Sequence, residues 1–120
     1  MRYTITAQGG YLRAEMTGRD TAAETREFVD AIVKGLRESG LNRLLIVIRQ
    51  SRAIFKVGEY NIDDYFKAVA SIPDLRVAHV GDTAELRASQ EYIALRGKQH
   101  GVECRALKDE KEAVGWLLSP

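Results

Sequence analysis

The run Leu44-Leu45-Ile46-Val47-Ile48 is the longest fully apolar stretch in the chain. A strand turns alternate side chains to opposite faces, so a run apolar at every position is one whose two faces are both covered. Its place is the middle of a sheet, with other elements layered on either side. At five residues it is far too short to cross a membrane as a helix.

The flanking segments read as thinner strands and as helices. Tyr3, Ile5 and Ala7 alternate with Arg2, Thr4 and Thr6, and Leu12, Ala14 and Met16 alternate with Tyr11, Arg13 and Glu15. Gln8-Gly9-Gly10 between them supplies turn chemistry, because glycine adopts positive φ freely. The N-terminus is therefore expected to be a hairpin with one buried face. Asp20-Thr21 opens a helix. Thr21 and Glu24 have capping-box spacing, and Thr25, Phe28, Val29, Ile32, Val33 and Leu36 form its apolar stripe before Gly40 ends it.

After the central strand, 50–60 has no period and reads as a loop. Asn61 is placed to cap a short helix with Ile62, Tyr65, Phe66, Val69 and Ala70 inward, stopped at Pro73-Asp74. Val77 to Val80 is a fourth strand. Gly81-Asp82-Thr83 leads into a third helix with Leu86, Ile93 and Leu95 on its buried side. Val102, Cys104 and Ala106 alternate in a fifth strand, and Asp109 to Glu112 caps a last helix carrying Ala113, Val114, Trp116 and Leu117. Trp116 is expected to be a core anchor beside Ala113 and Leu117.

The predicted order is β-β-α-β-α-β-α-β-α. Alternating units imply right-handed crossovers and a mostly parallel sheet. Alternation in strands one, two and five leaves one sheet face partly covered. That favours sequential strand order with helices mainly on one face over a doubly wound sheet. With 120 residues and no linker or repeat, 1–120 is expected to be one domain.

Three pieces of the chain resemble the SpoIIAA-like branch of the STAS superfamily, also called STAS/SEC14-like. They are Arg43 to Ile48, Arg76-Val77-Ala78-His79-Val80-Gly81-Asp82, and Glu112-Ala113-Val114-Gly115-Trp116-Leu117. The resemblance implies an N-terminal β-hairpin followed by a (β-α) superhelix with a mostly parallel five-stranded sheet. Regulatory members carry an Asp-Ser-Ser/Thr-Gly motif after the central strand, whose serine a partner kinase phosphorylates. Here that region reads Arg49-Gln50-Ser51-Arg52-Ala53-Ile54-Phe55-Lys56-Val57-Gly58-Glu59-Tyr60-Asn61, without the motif. The phosphorylation switch is not expected.

The remaining residues point away from chemistry. Cys104 alternates with buried positions and reads as a structural thiol. His79 and His100 lack metal-ligand spacing, and Asp63-Asp64 sit where a helix dipole favours acids. No catalytic, metal or cofactor residues are expected, and neither is a signal peptide. A net charge of +1 gives no field for nucleic acid. The single cysteine suits a reducing cytoplasm.

A parallel sheet gathers its strand C-termini and the following helix N-termini on one edge. That edge is expected to collect Arg19, Asp20, Arg49, Ser51, Arg52, Asp82, Thr83 and Lys108, an arrangement suited to a small anion or an acidic partner surface. The loop from Arg49 to Asn61 adds Phe55, Lys56 and Tyr60, and Arg with aromatics suits a protein interface. The candidate binding residues are thus Arg49, Ser51, Arg52, Phe55, Lys56, Tyr60, Asp82 and Thr83. The expected role is a non-enzymatic interaction module with a protein partner. The alternative is a small apolar or lipid-like ligand, as SEC14-like relatives imply. Pairing of open sheet faces makes a homodimer an expected assembly.

Overall fold

The computed structural model describes residues 1–53 and 62–120. The hairpin strands are β1 (Arg2–Gln8) and β2 (Tyr11–Thr17), followed by α1 (Ala22–Ser39), β3 (Arg43–Arg49), α2 (Ile62–Val69), β4 (Arg76–Gly81), α3 (Ala84–Gln99), β5 (Glu103–Ala106) and α4 (Glu110–Leu117). They form one five-stranded mixed sheet in the order β1-β2-β3-β4-β5. Only β1 runs antiparallel to its neighbour. Gln8 pairs with Tyr11, so the turn is the two residues Gly9 and Gly10, with φ of 36° and 95°. Two positive φ values in a row are what a tight hairpin requires and what glycine supplies.

The central run divides its side chains between two cores. Leu44, Ile46 and Ile48 join Leu12, Ala14, Met16 and Val77 beneath α1, α2 and α3. Leu45 and Val47 join Ala78 and Val80 beneath Ala113 and Leu117 of α4. Of the helices among the described residues, three therefore cover one face and one covers the other. Each of the buried leucine, isoleucine, valine and methionine side chains contributes about 1.5–3 kcal/mol by leaving water.

The helix ends follow the sequence closely. Thr21 and Glu24 form the reciprocal capping box, and Gly40 closes α1 in the left-handed region at φ 69°. Asp109 caps α4 by accepting from the Glu112 N–H at 2.9 Å. The last turn of α4 has no basic residue of its own. Two strand arginines serve instead: Arg43 donates to the Leu117 carbonyl at 2.7 Å, and Arg76 donates to those of Trp116 and Ser119 at 3.0 and 2.8 Å. Cations at that position complement the negative end of the helix dipole.

Four expectations need correction. Trp116 is only half-buried: it packs against the edge of the α4-side core, and the guanidiniums of Arg76 and Arg105 stand 5.8 and 5.1 Å from its ring centre. Leu95 is 56% exposed, since the inward stripe of α3 runs through Leu86, Gln90, Ile93 and Gly97. Ala70 follows the end of α2 and is exposed. The alternation in β1 does not bury a face; only Ile5 is even half-covered. Gly97 is required by contact: a Cβ there would stand 2.5 Å from Cys104 Sγ and 2.8 Å from the Phe66 ring. That absence of a side chain lets α3 sit flush on β5 and α2.

Candidate functional site

The strand C-termini do meet on one edge, as expected, but most of the candidate residues there already hold one another. Arg49 pairs with Glu15 at 3.3 Å and with Glu110 at 3.1 Å. Ser51 Oγ accepts from the Arg19 N–H at 3.0 Å and donates to the Arg49 carbonyl at 2.9 Å. Thr83 caps α3 by accepting from Leu86 N–H at 3.1 Å. Asp82 accepts the N–H of Gln50 at 3.0 Å, and Gln50 itself sits at φ 49°. That left-handed conformation is uncommon for a residue with a side chain, and the Asp82 carboxylate helps to hold it. Arg52 pairs with Asp20 at 3.0 Å on the open surface.

A shallow depression of about 670 Å³ lies between Arg19, Ser51, Arg52 and Thr83, with Asp20 and Glu85 on its rim. Lys108 lines a separate recess with Asp82, Arg87 and Glu110. Acids thus alternate with bases along this edge, and the Gln50 and Leu86 N–H groups already have acceptors. Phe55, Lys56 and Tyr60 lie outside the described residues.

The other polar concentration is inside the domain, where the sequence offers little warning. Thr25 of α1, Tyr65 of α2, His79 of β4 and Gln90 of α3 are each at least 94% buried. All four line one small cavity of about 40 Å³ between the sheet and the three helices. Its remaining wall is mostly aliphatic and aromatic: Phe28, Ile32, Ile46, Ile48, Ile62 and Ile93. Arg19 also borders it, with its guanidinium donating to the Arg52 carbonyl.

Thr25 Oγ1, Tyr65 OH, His79 Nε2 and Gln90 Oε1 have no hydrogen-bond partner among the described residues. Leaving one buried polar atom unsatisfied costs about 1–3 kcal/mol, and a whole domain is stable by only about 5–15 kcal/mol. Four such atoms around one cavity are therefore a concentration that packing alone does not explain. Burial pushes the His79 imidazole down to about 4. It pushes the Tyr65 phenol up, with a smaller contribution from Cys104. Both groups are neutral near pH 7. Gln90 is held by its amide, since Nε2 donates to the Val80 carbonyl at 3.0 Å. Gly81 makes this possible, because a Cβ there would come within 2.9 Å of Gln90 Oε1.

Cys104 and Asp63 are tied into the packing. Cys104 is buried, and burial raises its thiol to about 12. That disfavours the thiolate a nucleophile needs. Asp63 accepts from Arg96 at 2.6 Å and meets His100 Nε2 at 3.0 Å, which ties α2 to the end of α3. Arg96 first and His100 second hold the Asp63 carboxyl below its ordinary range. Among the described residues no cluster of His, Cys, Asp or Glu is arranged to hold a metal ion, and no helix is long and apolar enough to cross a membrane.

Sequence reasoning assigned Thr25 and Tyr65 to buried positions but did not place His79 and missed Gln90. The signal was present: Gln90 stands between Leu86 and Ile93 at helical spacing, a polar residue inside an apolar stripe. What no single segment could show is that four polar residues from four elements share one cavity. No family model matches the chain, and no curated protein matches it.

Proposed function

We propose that the chain is a STAS-like, non-enzymatic interaction domain that lacks the phosphorylatable serine and binds partners by strand pairing at β1. The family part of this reading rests on the hairpin followed by sequential parallel strands, the order that the resemblance implies. The loss of the serine switch agrees with Ser51, whose hydroxyl is engaged on both sides by backbone. A single free cysteine suits a reducing cytoplasm.

The free edge of β1 carries the interaction reading. β1 is seven residues long, exposed along nearly all of its length, and has one charge, Arg2. The opposite edge, β5, has four residues and turns Glu103 and Arg105 to solvent. Short, charged edges discourage strand addition, whereas long uncharged edges invite it. A second copy of this chain is the simplest occupant. Antiparallel self-pairing centred on Ile5 sets Thr4 against Thr6, Tyr3 against Ala7 and Arg2 against Gln8, with no like charges opposed. Tyr3 and Ile5 also floor a shallow groove against α1, which such pairing extends across both copies.

Light scattering tests this. The expected mass is twice the 13.4 kDa of one chain. The double change Thr4→Lys and Thr6→Lys sets cations opposite one another and is expected to give single chains with thermal stability little changed. A single-chain mass for the wild type at millimolar concentration sinks the proposal.

A further inference from the structure

Independently of the β1 edge, we propose that the cavity between the sheet and α1–α3 is a binding site for a small, neutral, hydroxyl-bearing molecule, an alcohol or diol of a few heavy atoms. The unpartnered atoms of four residues that line it define the chemistry. Gln90 Nε2 is committed to the Val80 carbonyl, so Oε1 offers acceptance alone and the ligand must bring a donor. Thr25 Oγ1, Tyr65 OH and His79 Nε2 each adapt as donor or acceptor, so they suit a hydroxyl, which does both.

Size and polarity narrow the class further. A buried water needs about 10–15 Å³ measured in this way, so about 40 Å³ holds about three or four water positions, or a molecule of about four heavy atoms. A lipid chain does not fit, so the lipid-like ligand expected from SEC14-like relatives is not the one this cavity takes. Ile46, Ile48 and Ile93 give the carbon skeleton apolar contact. The four polar groups are all uncharged near neutral pH, and Arg19, the cation at the border, is engaged with the Arg52 carbonyl. A neutral guest keeps its hydrogen bonds there without the desolvation penalty that an ion would meet.

The test is a titration of isoleucine-methyl-labelled full-length protein with ethylene glycol, ethanol and acetate, followed by NMR. Saturable shifts of the Ile46, Ile48 and Ile93 methyls with ethylene glycol, and none with acetate, are expected. Gln90→Met is expected to weaken ethylene glycol by about tenfold or more, the loss of one buried hydrogen bond. Thr25→Val, which changes only one hydroxyl for a methyl, reads the same site should the first variant fold poorly. Methyls silent to both alcohols mean that water alone occupies the cavity, and acetate binding with the alcohols silent means an anion site. Either result overturns the proposal, as does ethylene glycol binding both variants as tightly as the wild type.

Discussion

The two faces of the sheet handle buried polarity in opposite ways. On the face covered by α4, the charged groups of β2, β3 and the first turn of α4 pair with one another. Arg13 grips Glu110 through two nitrogens at 2.9 and 3.0 Å and reaches Glu15 at 2.9 Å, while Arg49 closes the ring onto the same two acids. On the face covered by α1, α2 and α3, four neutral polar atoms border a cavity and meet nothing among the described residues. The first pattern is that of a fastening: it pins the first turn of α4 to β2 and β3. The second is that of a surface made for something other than the protein itself. Charge alone would have pointed to the wrong face, because the ionic cluster is the structural one.

The largest effect expected from this contrast is a loss of stability in mild acid, traceable to His79. Its ordinary value of 6.5 falls to about 4 in the fold, through burial. Above pH 6.5 the imidazole is neutral folded and unfolded, and stability is complete. As pH falls toward 4, the unfolded chain takes up a proton that the folded chain refuses. Stability is then lost by about 3 kcal/mol, and below pH 4 this contribution falls no further. Urea unfolding at pH 7.5 and pH 4.5 measures the difference. His79→Leu is expected to remove most of it; an equal loss in that variant would assign the acid sensitivity to other groups, with Asp63 and its partners the first to examine.

A smaller loss is expected on the α4 face. Glu110→Gln keeps the shape but removes the charge that both Arg13 and Arg49 share. Arg13 is only 18% exposed, so it keeps part of its desolvation penalty after losing its main partner. Glu110 is 35% exposed, and water screens part of the effect. A cost of about 1–2 kcal/mol is expected, above that of an ordinary surface pair because the contact is bidentate. No change in urea midpoint would mean that the Arg13–Glu110 contact adds nothing to what Ala113, Leu117 and the two end caps of α4 already supply.

The sequence carried the fold better than the site, for a physical reason. Elements declare themselves locally: the capping box at Thr21, the Gly9-Gly10 turn and the run at Leu44 to Ile48 each act within a few residues. Sequential strand order was read from the side-chain alternation in strands one, two and five, and the order holds although β1 buries neither face. The misjudged positions were those that depend on neighbours from elsewhere. Trp116 carries the apolar signature of a core residue, yet it packs only against the edge of the α4-side core, with two arginines from β4 and β5 beside its ring. Arg49 reads as a free cation until Glu15 and Glu110 arrive from distant segments. Thr25, Tyr65, His79 and Gln90 span 66 positions of sequence from first to last, and nothing local marks them as one group. Of the loop expected to be the working surface, Phe55, Lys56 and Tyr60 lie outside the described residues.

The smallest expected effect has the opposite sign, and that sign is the sharpest test of the comparison. Thr25→Val exchanges a hydroxyl for a methyl of nearly the same shape on α1, where Thr25 is 2% exposed. Threonine and valine have similar helix propensity, so the backbone is nearly indifferent. Thr25 Oγ1 has no partner among the described residues, so the exchange removes an unsatisfied buried oxygen and gives up no protein hydrogen bond. The isolated protein is therefore expected to gain about 1 kcal/mol, at the low end of the cost of burying a lone hydroxyl. On the α4 face the equivalent act, deleting a polar group's function at constant shape, loses stability. The gain should shrink as ethylene glycol is added, because the wild type then recovers the hydrogen bond that valine cannot make. Urea melts of both proteins, with and without ethylene glycol, measure each term. If Thr25→Val instead loses as much as Glu110→Gln, the hydroxyl is already satisfied, and the two faces do not differ in kind.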